Sequence, residues 1–234
     1  MTIAVMQPYF FPYLGYYQLI TAVDEFVIYD NIEFSKKGWI NRNRILVNGR
    51  ASYITLPLKK DSDYLDVKER CLAEIWRSER NKMLNKIRVA YKRSPNFNAV
   101  YPVVETAILF EETNLFRFIL NSLNVVAAYL EIKTPLIISS SIEIDHSLKG
   151  EAKVLSICDA RGANIYLNSI GGIDLYNKNT FKSRGIDLHF LKSHDIRYEQ
   201  FNNDFVSSLS IVDVLMFNPK EKIQEFLKSS YEFI

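Results

Sequence analysis

The chain has 234 residues, 48% of them hydrophobic, with 29 Lys and Arg against 27 Asp and Glu. That balance excludes a disordered chain and a generally basic nucleic-acid binder, and no apolar run approaches the roughly 20 residues that span a bilayer. Two cysteines and three histidines form neither a disulfide framework nor a metal-ligand spacing, so no metal site is expected.

Met1 to Gln7 has no basic residue and is stopped by Pro8, unlike a secretory leader, so the cytoplasm is the expected compartment. Ile3–Met6 is a short continuous apolar run, as in a buried strand. The loop Gln7-Pro-Tyr-Phe-Phe-Pro-Tyr13 breaks it, because two prolines remove backbone donors. Tyr13 to Val23 reads as a helix and Glu25 to Asp30 as a second strand, which together make a βαβ unit and imply a parallel sheet. Ile40–Val47 and Ala51–Leu58 flank Asn48-Gly49, a strong hairpin signal. If that strand is extended, Arg42 and Arg44 share one face, and Asn41 and Asn43 the other. Helical periodicity follows over Ser78–Tyr91, Asn98–Phe110 and Asn114–Leu130, with Asn114 as a cap and Ser94-Pro95-Asn96 as a break. Leu136–Ile138 is the next strand. Ser147 is placed to cap a helix through Ala160 that Gly162 stops. Asn164–Leu167 is a strand leading into Ser169-Ile-Gly171-Gly172, and Ile186–Leu191 is another. Ser210-Ile-Val-Asp213 has capping-box form, and Asn218-Pro219 reads as a cap and first residue of the last helix. The expected fold class is α/β: a mainly parallel, Rossmann-like sheet with a β-hairpin and a helical insertion near residues 68–132, in one domain over 1–234.

Two local biases point to a site. Lys36 to Lys60 holds seven basic residues and no acid, which suits a local anion site or a solvated hairpin face. Ten of the 31 aromatic residues lie in the first forty, and six of them in Tyr9–Tyr17. So many rings in nine residues cannot easily all be buried, which favours a partly open wall. In open α/β sheets ligands lie at the carboxyl ends of strands, so Gln7, Tyr9 and Tyr13 are candidates, with the following helix N-terminus offering free N–H groups to an anion. Asp30, at the end of the second strand, is placed to accept from a ribose hydroxyl, hold an amine or contact magnesium. Trp39 offers a stacking ring beside Asn41, Arg42, Asn43 and Arg44, and arginine suits bidentate phosphate contacts. Tyr166, Gly171, Gly172 and Tyr176 combine a strand end, a close-approach turn and an aromatic. His146 is an acid/base candidate, His189 reads as structural and Cys158 as an inert buried thiol.

The strings MQPYFFPYLGYYQLI (6–20), FVIYDNIEFSKKGWINRNRIL (26–46), ITLPLKK (54–60), YLNSIGGIDLY (166–176) and SLSIVDVLMFN (208–218), in this order, resemble the WbqC-like family of bacterial proteins. Members accompany genes for O-antigen and related surface polysaccharides, and the family label is glycine transferase. The resemblance therefore implies attachment of an amino acid to an amino sugar; the alternatives are a nucleotidyl- or glycosyltransferase-like enzyme and a non-catalytic sugar-nucleotide-binding protein. Carried over by position, it marks Gln7, Pro8, Tyr9, Phe10, Pro12, Tyr13, Tyr29, Asp30, Trp39, Asn41, Arg42, Asn43, Lys59, Tyr166, Gly171, Tyr176, Ser210 and Asp213. The family's glycine turn usually reads Ser-Gly where this chain has Asn168-Ser169. The opening also resembles that of nucleotidylyltransferases and pantothenate-synthetase-like ligases, with Tyr13-Leu-Gly-Tyr16 standing where they carry His-x-Gly-His. Amide formation needs an activated acyl group. The expected partners are thus a nucleotide-linked amino sugar and a small acyl or amino-acid donor. Activation comes either from ATP with Mg2+ or from a preactivated donor such as a thioester or charged tRNA. In that reading Asp30, Gln7 and His146 serve catalysis, while Arg42, Arg44 and Lys59 neutralise charge.

Overall fold

The computed structural model describes residues 1–201 and 204–234. β1 (Thr2–Met6), α1 (Leu14–Thr21) and β2 (Glu25–Ile28) form the expected βαβ unit, with β1 and β2 parallel and Ala4 opposite Phe26. The chain then leaves the sheet. β3 (Arg42–Val47) and β4 (Arg50–Thr55) pair antiparallel and turn through Asn48 (φ 50°) and Gly49 (φ 74°). Both have the positive φ that a two-residue hairpin turn demands, which asparagine and glycine adopt at little cost. Three helices follow: α2 (Trp76–Tyr91), α3 (Phe97–Ile108) and α4 (Leu115–Tyr129). Asn114 caps α4 by accepting from the Arg117 N–H at 3.0 Å.

β5 (Leu136–Ile138) returns the chain to the sheet, which α5 (Gly150–Arg161), β6 (Ile165–Ser169), α6 (Lys178–Ser183) and β7 (Asp187–Ser193) extend. α7 (Ile211–Phe217), α8 (Lys220–Ser229) and β8 (Tyr231–Phe233) complete the chain. The six-stranded sheet runs β5-β2-β1-β6-β7-β8, parallel throughout except for β8. Counted along the chain, its strands lie third, second, first, fourth, fifth, sixth, which is the Rossmann-like order. Ala4, Phe26, Ile28 and Leu167 face a core shared with α1, the hairpin and α2–α4, while Ile3, Val5, Val27, Tyr166 and Phe190 face α5 and α6. Burial on both faces explains why β1 reads as an unbroken apolar run. No helix among the described residues is long and apolar enough to cross a membrane.

Buried polar groups tie these layers together. Gln18 of α1 donates to the carbonyls of Phe226 and Ser230 and accepts from Ser193 Oγ, joining α1, β7 and α8. Arg161 at the end of α5 meets Glu25 at the start of β2, with Nε donating to Oε2 at 2.8 Å.

Several local expectations are corrected. Ser147 does not cap α5: its N–H and hydroxyl turn to Asp145, and the helix starts at Gly150 after Lys149. Gly162 stops that helix at φ 66°, as its position predicts. Ser210 caps α7 by accepting from Val212 N–H, but Asp213 does not complete a capping box. Its carboxylate points inward and accepts from Tyr91, Tyr198 and Gln200. Pro219 precedes α8 instead of opening it, and Asn218 donates to the Val214 carbonyl, closing α7. β8 has no sequence signal: three residues are too few for alternation to show, and its pairing is a backbone matter.

Candidate functional site

In a doubly wound sheet the ligand crevice lies where the strand order reverses, beyond the carboxyl ends of the first and fourth strands. Here those strands are β1 and β6, and a cavity of about 800 Å³ opens there. Gln7 reaches it from β1, Tyr29 and Asn31 from β2, Asn168, Gly171 and Gly172 from β6, and His146 and Lys153 from the approach to α5 and its first turns.

The aromatic N-terminal loop divides between two roles. Phe10, Phe11, Tyr16 and Tyr17 are buried in the core, while Tyr9 and Tyr13 face the cavity. The loop is pinned at every step. Phe11 holds φ 42°, unfavourable for a residue with a Cβ, and its carbonyl accepts from Asn43 Nδ2 at 2.9 Å and Ser210 Oγ at 2.8 Å. Asn43 also donates to the Phe10 carbonyl, and Ile211 N–H donates to the Pro12 carbonyl. Tyr16 Oη donates to the Gln7 carbonyl at 2.8 Å, which fixes the backbone from which Gln7 projects. The N-terminus of α1 is not offered to the cavity. A Cβ on Gly15 would meet the Tyr13 ring at 2.5 Å, so that ring lies across the start of the helix.

Around the β2 end, Asn31 Oδ1 accepts from Ser139 Oγ at 2.9 Å, leaving Nδ2 to donate to His146 Nδ1 at 2.9 Å. That arrangement puts the ring proton of neutral His146 on Nε2 and makes the ring a donor. Asp30 is buried outside the cavity wall, and both its oxygens accept from Ser140, from N–H at 2.8 Å and Oγ at 2.6 Å. It therefore anchors the turn that presents Tyr29 and Asn31. Asp66 lines the cavity, half-buried; desolvation, and then the charge of Glu69, raise its carboxyl above the ordinary 3.8. Burial pushes the Tyr29 hydroxyl up to about 12, with Tyr176 and Asp66 adding, and the Tyr9 hydroxyl up to about 12, so both are neutral donors at physiological pH. The Cys158 thiol, away from this wall, is likewise pushed up to about 12 by burial.

On the β6 side, Asn168 donates to Tyr166 Oη at 2.7 Å and accepts from the Ser169 N–H at 2.7 Å. Tyr166 lies wholly in the core, and its hydroxyl reaches Tyr176, which lines the cavity. A Cβ on Gly172 would stand 2.9 Å from Asn168 Oδ1, whereas one on Gly171 would meet only Ser169 Oγ, in ordinary contact at 3.9 Å. Gly172→Ala is expected to displace that amide and to cost about 1 to 3 kcal/mol, read by denaturant unfolding. Gly171→Ala serves as the tolerated comparison, and equal losses for both would remove the close-approach explanation.

The basic hairpin sits beside the cavity. Trp39 lines it, but Asn41, Arg42, Asn43, Arg44 and Lys59 do not. Asn41 donates to the Leu56 carbonyl, Arg42 to the carbonyls of Gly38 and Lys37, and Arg44 to that of Ser208. Arg42 stacks over Tyr53 and Arg44 over Trp39, each at 5.3 Å, and the two rings stack at 6.2 Å. Sequence reasoning missed Asn31, Asp66 and Lys153. Asn31 stood one residue beyond a noted motif, but no spacing linked Asp66 or Lys153 to the other groups.

The profile of the WbqC-like protein family matches residues 7–225. The chain is also 27% identical over 230 residues to the uncharacterized protein Rv1507c of Mycobacterium tuberculosis, covering 97% of each chain. No solved structure matches. A match running from the pinned N-terminal loop through both sides of the crevice to α8 means that this chain belongs to the WbqC-like protein family.

Proposed function

We propose that the cavity binds a nucleotide-linked amino sugar and transfers an activated acyl group, a glycyl unit, to the sugar amine. The observation that carries this reading is the composition of the wall at the β1–β6 crevice: neutral tyrosine hydroxyls, the Gln7 amide, a His146 ring that donates, and Asp66 with its proton affinity raised. Family membership supports it, because the resemblance carries the glycine-transferase label and the surface-polysaccharide setting.

The chemistry assigns each group a task. The sugar amine attacks the acyl carbon, and a C–N bond forms as the carbonyl oxygen takes the negative charge. His146 Nε2–H donates to that oxygen. Asp66 takes the proton from the new ammonium, a step suited to a carboxyl of raised pKa. The carbonyl re-forms as the activating group leaves with its electron pair. Gln7 holds a sugar hydroxyl or amide, and the tyrosines align the ring, so much of the rate comes from positioning. Asp30 acts through Tyr29 and Asn31, as a positioning residue.

Incubating the protein with a dTDP-linked amino sugar, glycine and ATP, or with a glycyl thioester, is expected to yield a sugar nucleotide heavier by one glycyl unit in mass spectrometry. Absence of any amide with both kinds of donor, or pyrophosphate release without amide, overturns the reading.

A further inference from the structure

Lys153 is a buried ammonium on the cavity wall. It lines the cavity from α5, yet only 3% of it is exposed. Among the described residues no carboxylate pairs with its ammonium. Its partners are the carbonyls of Asn31 and His146, both at 3.4 Å, and the face of the Tyr29 ring at 5.0 Å. Asp66 and Asp30 act on it only through space, and Asp30 has both oxygens on Ser140. Burial lowers its proton affinity, as it must for an ammonium lacking a counter-ion. Breaking or omitting the partner of a buried charge is strongly unfavourable, and an anion from outside would relieve that cost.

The surroundings of Lys153 are donors. His146 presents its Nε2–H, and Tyr29 stays protonated. The first turn of α5 follows Lys149, which gives it no side-chain cap, and a Cβ on Gly150 would meet nothing within 4 Å. The acids nearby do not close the position: Glu151 accepts from the Asn177 N–H, and Asp66 forms no ion pair with Lys153. Three of the anion positions that the sequence offered are otherwise engaged. The Tyr13 ring covers the start of α1, and Arg42 and Arg44 are held by backbone carbonyls.

We infer that Lys153, with His146, Tyr29 and the start of α5, is the diphosphate-binding pole of this cavity, taking the pyrophosphate bridge of a nucleoside diphosphate. The inference rests on the sugar-nucleotide reading above and deepens it by saying which wall holds the charge.

Calorimetric titration of the full chain with dTDP, thymidine and inorganic pyrophosphate tests it. Wild type is expected to bind dTDP, to bind thymidine at least tenfold more weakly, and to release dTDP when pyrophosphate is added. Lys153→Met, which keeps the stem and removes the charge, is expected to bind dTDP at least tenfold more weakly while melting at the same temperature as wild type or higher. A Lys153→Met chain that binds dTDP as wild type does overturns the assignment and leaves the sugar-nucleotide reading standing. A wild type that binds neither dTDP nor pyrophosphate overturns both. If Lys153→Met does not fold, the competition in wild type decides: thymidine displacing dTDP as well as pyrophosphate does refutes a diphosphate pole.

Discussion

Asp66→Asn is expected to lower turnover by about 100-fold or more, the usual scale for loss of a positioned general base, while sugar-nucleotide binding stays within about threefold of wild type. The substitution keeps the shape and the backbone bond from Asp66 N–H to Glu69 Oε2 at 2.9 Å. It removes the capacity to take a proton, together with the negative charge that acts on Lys153. The pH profile supplies a second readout. A base must be deprotonated, so the wild-type rate rises with pH through the Asp66 pKa, which desolvation places above 3.8. In Asp66→Asn that acid limb should vanish from whatever activity is left. Retained turnover with an unchanged limb assigns the proton to another group, and lost binding makes Asp66 a binding residue.

The largest stability effect belongs to Asp213. It is fully buried, accepts from Tyr91 Oη, Tyr198 Oη and Gln200 Nε2, each at 2.7 Å, and Tyr91 Oη in turn accepts from the Leu46 N–H at 2.8 Å. One carboxylate thus joins α2, β3, α7 and the segment leading to α7. Asp213→Ala leaves the two tyrosine hydroxyls without this acceptor in the core. At about 1 to 3 kcal/mol for each buried group left unpaired, partly relieved by relaxation, the expected loss is about 3 to 5 kcal/mol. For a chain of this size that lowers the melting temperature by roughly 10 °C.

The pH dependence has a definite sign. Burial outweighs the three hydrogen bonds and raises the Asp213 pKa above its ordinary 3.8. Between 3.8 and the raised value the folded state binds more protons than the unfolded one, so this group's contribution falls as pH rises through that window and is flat above it. Asp213→Asn lacks the fall. The difference in melting temperature between wild type and Asp213→Asn, followed across acid pH, should show it, and a pH-independent difference would show that the carboxyl has the same pKa folded and unfolded.

Much of the architecture was legible because it is written in short-range patterns. The apolar run of β1, the helical spacing after it and the strand of β2 specify a βαβ unit within thirty residues. Asn48-Gly49 specifies the hairpin, because few residues tolerate its positive φ values. The capping signals were less secure. Ser210-x-x-Asp213 fits a capping box, yet Asp213 turns inward because the buried hydroxyls of Tyr91 and Tyr198 have greater need of it. The two tyrosines lie 122 and 15 residues away, beyond any local reading.

The candidate site divides in the same way. Its location followed from the sequence: a parallel sheet opening on βαβ has its crevice beyond β1, and Gln7, Tyr9 and Tyr13 are there. The electrostatics did not follow. Seven basic residues within Lys36–Lys60 made the hairpin the natural anion grip, but alternation in β3 sends Asn43 inward to hold the Phe10–Phe11 loop, and both arginines onto aromatic faces and backbone carbonyls. Charge density along a chain says nothing of which charges are already satisfied. The sequence by itself determined the family, the sheet and the aromatic edge of the crevice, because these depend on periodicity, turn chemistry and motif order. Only the tertiary structure decided which polar groups face the cavity. Asp66, His146 and Lys153 meet there because β2, the hairpin's return and α5 converge on one end of the sheet, and side chains that far apart in sequence share a site only when the strand order is closed.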